Sequence, residues 1–400
     1  MVGSMNETIY MPVGEVCSSI SDTYREKKNM VTLINTSDVL EGRVLNHERV
    51  PNSNLKGQFK KTFQRDDILY SEIRPQNRRF AYVDFSPIDY IASTKLMVIR
   101  AKKDVVSPKY LYYFLKNSST VAELQLLAET RSGTFPQITF SEVANLTIPV
   151  PPLAVQEVIV QTMQCLEDKT ICNEQINDNL QQQAAAIFRS WFVDYVPFGG
   201  TVPDEWKNVT LEDITTLVSR GITPKYADDT GQIVINQKCI RNHMIDLSFA
   251  RSHRPKVINN KWLQFGDLLI NSTGDGTLGR AAQVWFQPHN LTVDSHVTIV
   301  RPAAENMIFY IGLWGTQHEK EIESLHTGST GQTELPRDRV KAIELLLPDK
   351  ETLERFNALI APMAAAIVSN QEENNRLASI RDALLPKLMS GKIDVSAIQL

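Results

Sequence analysis

The sequence predicts an α+β fold: two similar α/β globular domains separated by a long antiparallel two-helix coiled coil, on a pseudo-twofold internal repeat. Three observations predict it. The two halves of the 400-residue chain resemble each other at a nearly constant offset. Short β-type runs punctuated by Gly, Pro and Asn fill the first part of each half. Each half then closes with a proline-marked strand and a long stretch of heptad-spaced residues.

The repeat is clearest where residues 138–151 (ITFSEVANLTIPVP) meet residues 335–348 (LPRDRVKAIELLLP). Ile138/Leu335, Val143/Val340, Leu146/Ile343, Ile148/Leu345 and Pro151/Pro348 are each 197 apart. The same offset carries Asn173, Asn177 and Leu180 onto Asn370, Asn374 and Leu377. Upstream, residues 13–16 (VGEV) resemble 211–214 (LEDI), and 67–71 (DILYS) resemble 267–271 (DLLIN). The division is therefore a first globular domain at 1–152, a long helix at 153–193 and a linker at 194–207. A second domain follows at 208–349, then a second long helix at 350–390 and a tail at 391–400.

In the first domain the β-type runs are residues 31–34, 68–71 and 96–99; in the second they are 233–235, 268–270 and 297–300. The first helix places Ile159, Met163, Leu166, Thr170, Asn173, Asn177, Leu180, Ala184, Ile187 and Trp191 on one seam. The second places Phe356, Ile360, Met363, Ile367, Asn370, Asn374, Leu377, Arg381, Leu384 and Leu388 on the other. Both seams carry two Asn at their middle, where a buried polar layer lowers stability and fixes register. Antiparallel pairing brings the four Asn to one level. Pro362 removes a backbone donor inside the second helix, so a kink is expected there.

The chain-wide balance is mildly acidic, with a net charge of −4. Its distribution is uneven. Residues 43–109 hold 14 Lys/Arg against 7 Asp/Glu, and residues 220–280 hold 9 against 5. Residues 153–180 hold five acids and one Lys. Basic charge therefore lies in the domains and acidic charge in the helix. Arg with Asn or Gln in loops suits base edges, and Lys suits phosphate. The candidate DNA contacts are Lys60, Lys61, Arg74, Arg78 and Arg79 in the first domain, with Arg241, Arg254, Lys256 and Arg280 in the second.

Other chemistries find little support. The four cysteines include no C-x-x-C pair, which excludes a zinc ribbon. No apolar run approaches the roughly twenty residues of a membrane span, and the N-terminus shows no secretory signal, so a cytoplasmic protein is expected. Residues 274–279 (GDGTLG) fit G-x-G-x-x-G, but residues 280–286 (RAAQVWF) read as a strand, not as the helix a dinucleotide site needs. A hairpin or DNA-facing turn is the better reading. Asp67, Glu72 and Arg74 lack a separate metal-binding carboxylate. Neither a catalytic nor a metal site is expected.

Residues 187–197 (IFRSWFVDYVP), followed by 202–206 (VPDEW) and 211–214 (LEDI), resemble the central region of specificity subunits of type I restriction–modification enzymes. Residues 381–393 (RDALLPKLMSGKI) resemble their C-terminal signature, and 149–156 (PVPPLAVQ) the segment that opens their first helix. The resemblance implies two target recognition domains, each reading half of a split sequence in double-stranded DNA, with the coiled coil setting the gap. It implies two modification subunits and restriction subunits as partners, no membrane, and no cofactor in this chain. S-adenosylmethionine, ATP and Mg belong to the partners. The sequence departs from the family at 153–156 (LAVQ), at 349–352 (DKET) and at Pro362. The alternative is a scaffold that pairs two proteins at the ends of a coiled-coil rod without touching DNA; a second rival is a magnesium-dependent nuclease.

Overall fold

The structure is a computed structural model that describes residues 8–53, 57–131, 134–228, 231–254, 258–328, 333–393 and 395. It divides into two compact units, Met1–Ile171 with Asn374–Leu400, and Cys172–Glu373. Among the described residues no helix is long and apolar enough to cross a membrane.

The first unit holds a four-stranded antiparallel sheet in the order Cys17–Ile20, Leu96–Ala101, Ile68–Ser71, Phe80–Tyr82. The two central strands carry Ile, Leu, Val and Met with almost no alternation, because both faces are covered. A second sheet runs Val50–Pro51, Met30–Ile34, Tyr90–Ser93, Phe59–Lys61, with its middle pair parallel. Ile9–Pro12 pairs antiparallel with the proline-marked strand Thr147–Val150.

The second unit repeats this plan. Its main sheet runs Thr215–Arg220, Val297–Pro302, Leu268–Asn271, Ala281–Gln283. Its second sheet runs Arg251–Ser252, Ile233–Ile235, Leu291–Val293, and its middle pair is again parallel. Lys207–Thr210 pairs with Glu344–Leu347.

One buried ion pair recurs in both sheets. Asp67 accepts from Arg100 Nε and Nη2, both at 2.7 Å, and from the Gln64 amide at 2.8 Å. Asp267 accepts from Arg301 Nε and Nη2, both at 2.8 Å, and from the Gln264 amide at 2.8 Å. The nuclease-like carboxylate at Asp67 is thus committed to the fold. A bidentate guanidinium satisfies both oxygens, which a buried carboxylate requires.

The long helices are Leu153–Phe192 and Lys350–Met389. Gln156, at the departure from the family pattern, is fully buried. It accepts from the Ser107 amide at 2.8 Å and donates to the Pro151 and Val105 carbonyls, fixing the helix start to the domain. At the second departure Asp349 caps the helix, accepting from the Thr352 amide at 2.9 Å and from Trp206 Nε1 at 3.1 Å. The second helix runs unbroken through Pro362, whose side is exposed.

In the first unit Ile159, Val160 and Met163 share one core with Leu385, Leu388 and Met389 of the second helix. Lys116 closes this unit further. It forms an ion pair with Glu167 and lies 4.8 and 4.6 Å from the Tyr112 and Tyr113 ring centres. Burial pulls the Lys116 ammonium below its usual pKa, and Glu167 opposes that shift.

In the second unit the helices pair antiparallel. Asn370 Nδ2 donates to Asn177 Oδ1 at 2.8 Å, Asn173 Nδ2 to Glu373 Oε2 at 2.7 Å, and Asn177 Nδ2 to the Ile367 carbonyl at 3.4 Å. Asn173 and Asn177 are buried, whereas Asn370 and Asn374 are half-buried. Further along, the seam departs from the heptad expectation. Phe188 and Phe192 are buried in place of Ile187 and Trp191, which are half-buried. Eleven residues separate Asn177 from Phe188, about 3.67 per turn, a spacing that departs from the roughly 3.5 of strict heptads. The aromatic pocket fixes the shift: Phe192 lies 4.8 Å from Phe356 and 4.9 Å from Tyr310.

Asp267→Ala leaves the Arg301 charge with only the Asn260 and Trp262 carbonyls to meet it, and should lower the unfolding free energy by about 3 kcal/mol in denaturant titration. Asp67→Ala should cost less, because the Arg100 side chain is 31% exposed against 12% for Arg301. Replacing Asn177 and Asn370 together by Leu should raise Tm and broaden the set of helix positions that cross-link.

Candidate nucleic-acid interface

Of the candidate residues in the first unit, Lys60 and Lys61 lie on the strand Phe59–Lys61 of the second sheet, and Arg74, Arg78 and Arg79 lie on the loop between Ile68–Ser71 and Phe80–Tyr82. Tyr70 pairs with Phe80 across this hairpin, and their rings stack at 5.5 Å. Arg74 (φ 44°) and Arg78 (φ 53°) both adopt the left-handed backbone on either side of Pro75–Asn77. Such conformations cost a kcal/mol or so each and persist only when their surroundings enforce them. Here the Arg74 amide donates to the Pro136 carbonyl at 3.1 Å, the Gln76 amide to Gln125 Oε1 at 3.1 Å, and the Arg78 amide to the Pro75 carbonyl at 2.9 Å.

The side chains divide into two groups. Arg74 and Lys60 are exposed, with no side-chain partner among the described residues. The others are engaged within the unit. Lys61 Nζ donates to the Thr94 and Leu96 carbonyls at 3.1 and 2.8 Å, and burial lowers its pKa while Glu72 opposes. Arg78 pairs with Glu41 at 3.4 Å and donates to the Lys116 carbonyl at 3.3 Å. Arg79 Nη1 donates to the Ser37 and Val39 carbonyls at 2.9 and 3.4 Å.

In the second unit Arg241 is exposed and lies 5.1 Å from the Phe249 ring centre. Arg254 is exposed, and its backbone amide bonds the Lys225 carbonyl at 2.8 Å. Arg280 is half-buried and donates to the Gly276 carbonyl at 2.7 Å. Lys256 lies outside the described residues. Arg251, which sequence reasoning did not select singly, stacks 3.6 Å from the Tyr226 ring centre. Arg with an aromatic partner is a common surface for nucleic acid bases.

Residues 9–182 match the family described as the type I restriction modification DNA specificity domain. The chain is also similar to the type I restriction enzyme HindI specificity subunit of Haemophilus influenzae, at 29% identity over 91% of this chain and 94% of that one. Over most of its length the chain is similar to type I specificity subunits. A solved structure, that of the type I restriction–modification S subunit from M. genitalium, has a similar fold at TM-score 0.55 and 14% identity, covering 97% of this chain and 98% of that one. Another chain, at TM-score 0.50 and 17% identity over 96% of this chain and 98% of its own, comes from a structure described as showing complex assembly and conformational transition of the type I R-M system.

Arg74→Ala should lower the log–log salt slope of duplex binding by about one, the signature of one lost phosphate contact, with Tm unchanged. Lys61→Met should lower Tm and leave the slope nearly unchanged, since its donors serve internal carbonyls.

Proposed function

We propose that this chain is the sequence-reading subunit of a type I restriction–modification complex. Each unit reads one half of a bipartite target in double-stranded DNA. The observation that carries this reading is the duplicated unit: one sheet order, one parallel strand pair and one Asp–Arg clamp occur twice, each with exposed Arg on its loops. A duplicated surface suits a target with two separated parts.

In this reading the chain performs no chemistry. Two modification subunits bind it, carry S-adenosylmethionine and methylate the target. Restriction subunits, with ATP and Mg, cleave. The complex works in the cytoplasm. Lys60, Arg74, Arg241 and Arg254 are the first candidates to meet DNA, while Lys61, Arg78, Arg79 and Arg280 hold the loops that present them; Lys256 remains a candidate from the sequence.

Titration of the full chain with its modification subunits against random and selected duplexes, at low and moderate salt, tests the reading. Binding with a steep salt slope and a preferred two-part sequence is expected. Absence of duplex binding in both conditions leaves the protein-pairing scaffold, and magnesium-dependent cleavage by the chain alone leaves the nuclease.

A further inference from the structure

The hairpin Ile68–Ser71 with Phe80–Tyr82 occupies the same place in its sheet as Leu268–Asn271 with Ala281–Gln283. The joining loops, residues 72–79 and 272–280, are therefore equivalent. The same β-bridge anchors both: Ile73 with Gln137, and Thr273 with Glu334. Their sequences, EIRPQNRR and STGDGTLGR, share little beyond the closing Arg. One frame thus presents basic and amide side chains in the first unit and a glycine-flanked carboxylate in the second.

The second loop walls a cleft of about 600 Å³ with Gln237, Thr273, Asp275, His296, Thr333 and Glu334 on its surface. The wall is firmly held. Gln237 Nε2 donates to the Thr273 carbonyl and, at 2.5 Å, to its hydroxyl; that hydroxyl meets His296 Nδ1 at 2.8 Å. Gly274 has φ +97°, and a Cβ there would lie 2.7 Å from Thr277 Oγ1 and 3.0 Å from Gln237 Nε2. Gly276, at φ +69°, faces open space. Behind the loop, Asn271 is fully buried; its Nδ2 donates to the Gln237 carbonyl at 3.2 Å, while its Oδ1 has no partner among the described residues. Asp275 stands exposed between the two glycines, and His296 Nε2 has no partner among the described residues.

A carboxylate held at a DNA surface is repelled by phosphate. It gains only where a base edge offers an amino group, which in the major groove means cytosine N4 or adenine N6. We propose that loop 272–280 is the base-reading loop of the second unit, with Asp275 accepting from such an exocyclic amine. This rests on the DNA-reading function above. The loop in the first unit does the equivalent work with Gln76 and Asn77, beside the phosphate contact of Arg74.

The test is selection from a duplex library with both half-sites randomised, using the full chain with its modification subunits, wild type against Asp275→Ala and Asp275→Asn. Asp275 is exposed, so matching thermal melts will verify that both variants fold. Asp275→Ala should lose discrimination at one base pair of one half-site by about tenfold or more, leave the other half-site intact, and bind random duplex more tightly. The identity lost, C·G or A·T, names the amine. An unchanged selected sequence overturns the assignment of Asp275, as does equal loss in both half-sites. A wild-type chain that binds duplex but selects no sequence overturns both this inference and the function beneath it.

Discussion

Pairing between helical segments far apart in the chain organises everything else in the molecule. Residues near 160 share a core with residues near 388, and residues near 188 with residues near 356. Neither long helix could bury its apolar side alone, because each stripe is too narrow to form a core by itself. The domains in turn supply the lids of these cores. Tyr110 and Tyr113 stand against the first set, Tyr310 and Trp314 against the second. Within each unit the globular part is consequently seated on the helical segments that it covers.

A second rule operates inside each unit. The Asp67–Arg100 and Asp267–Arg301 clamps tie the loop that precedes a central strand to the neighbouring strand. They tie the first strand of each hairpin to the strand on its other side, so the loop at its far end starts from a fixed platform. Those loops then vary without disturbing the sheet. This explains how a repeat can keep one architecture while EIRPQNRR and STGDGTLGR have diverged.

Much of this was legible in the sequence, for identifiable reasons. The strands at 68–71 and 268–271 show because buried central strands must be apolar. The helix ends show because Pro and Asp mark them. What stayed hidden depends on contacts across the chain. Lys61 and Arg79 look like surface cations until Thr94, Leu96, Ser37 and Val39 turn carbonyls toward them. The seam at Ile187 and Trp191 looks heptadic until an aromatic pocket draws in Phe188 and Phe192. The glycine motif at 274–279 was recognised as a turn, but its equivalence to the Arg74–Arg79 segment needed the sheet order, since no residue pattern survives to align them.

The way the units divide the chain also sets a timetable. The second unit is one continuous stretch, Cys172–Glu373, whereas the first needs both Met1–Ile171 and Asn374–Leu400. On the ribosome, therefore, the domain made first is finished last. Ile159, Val160 and Met163 emerge with their partners Leu385, Leu388 and Met389 still more than two hundred codons away. Until those final residues leave the exit tunnel, that apolar strip is open to water, to a chaperone or to another nascent chain, and a protein truncated near its end would lose the closure of its beginning.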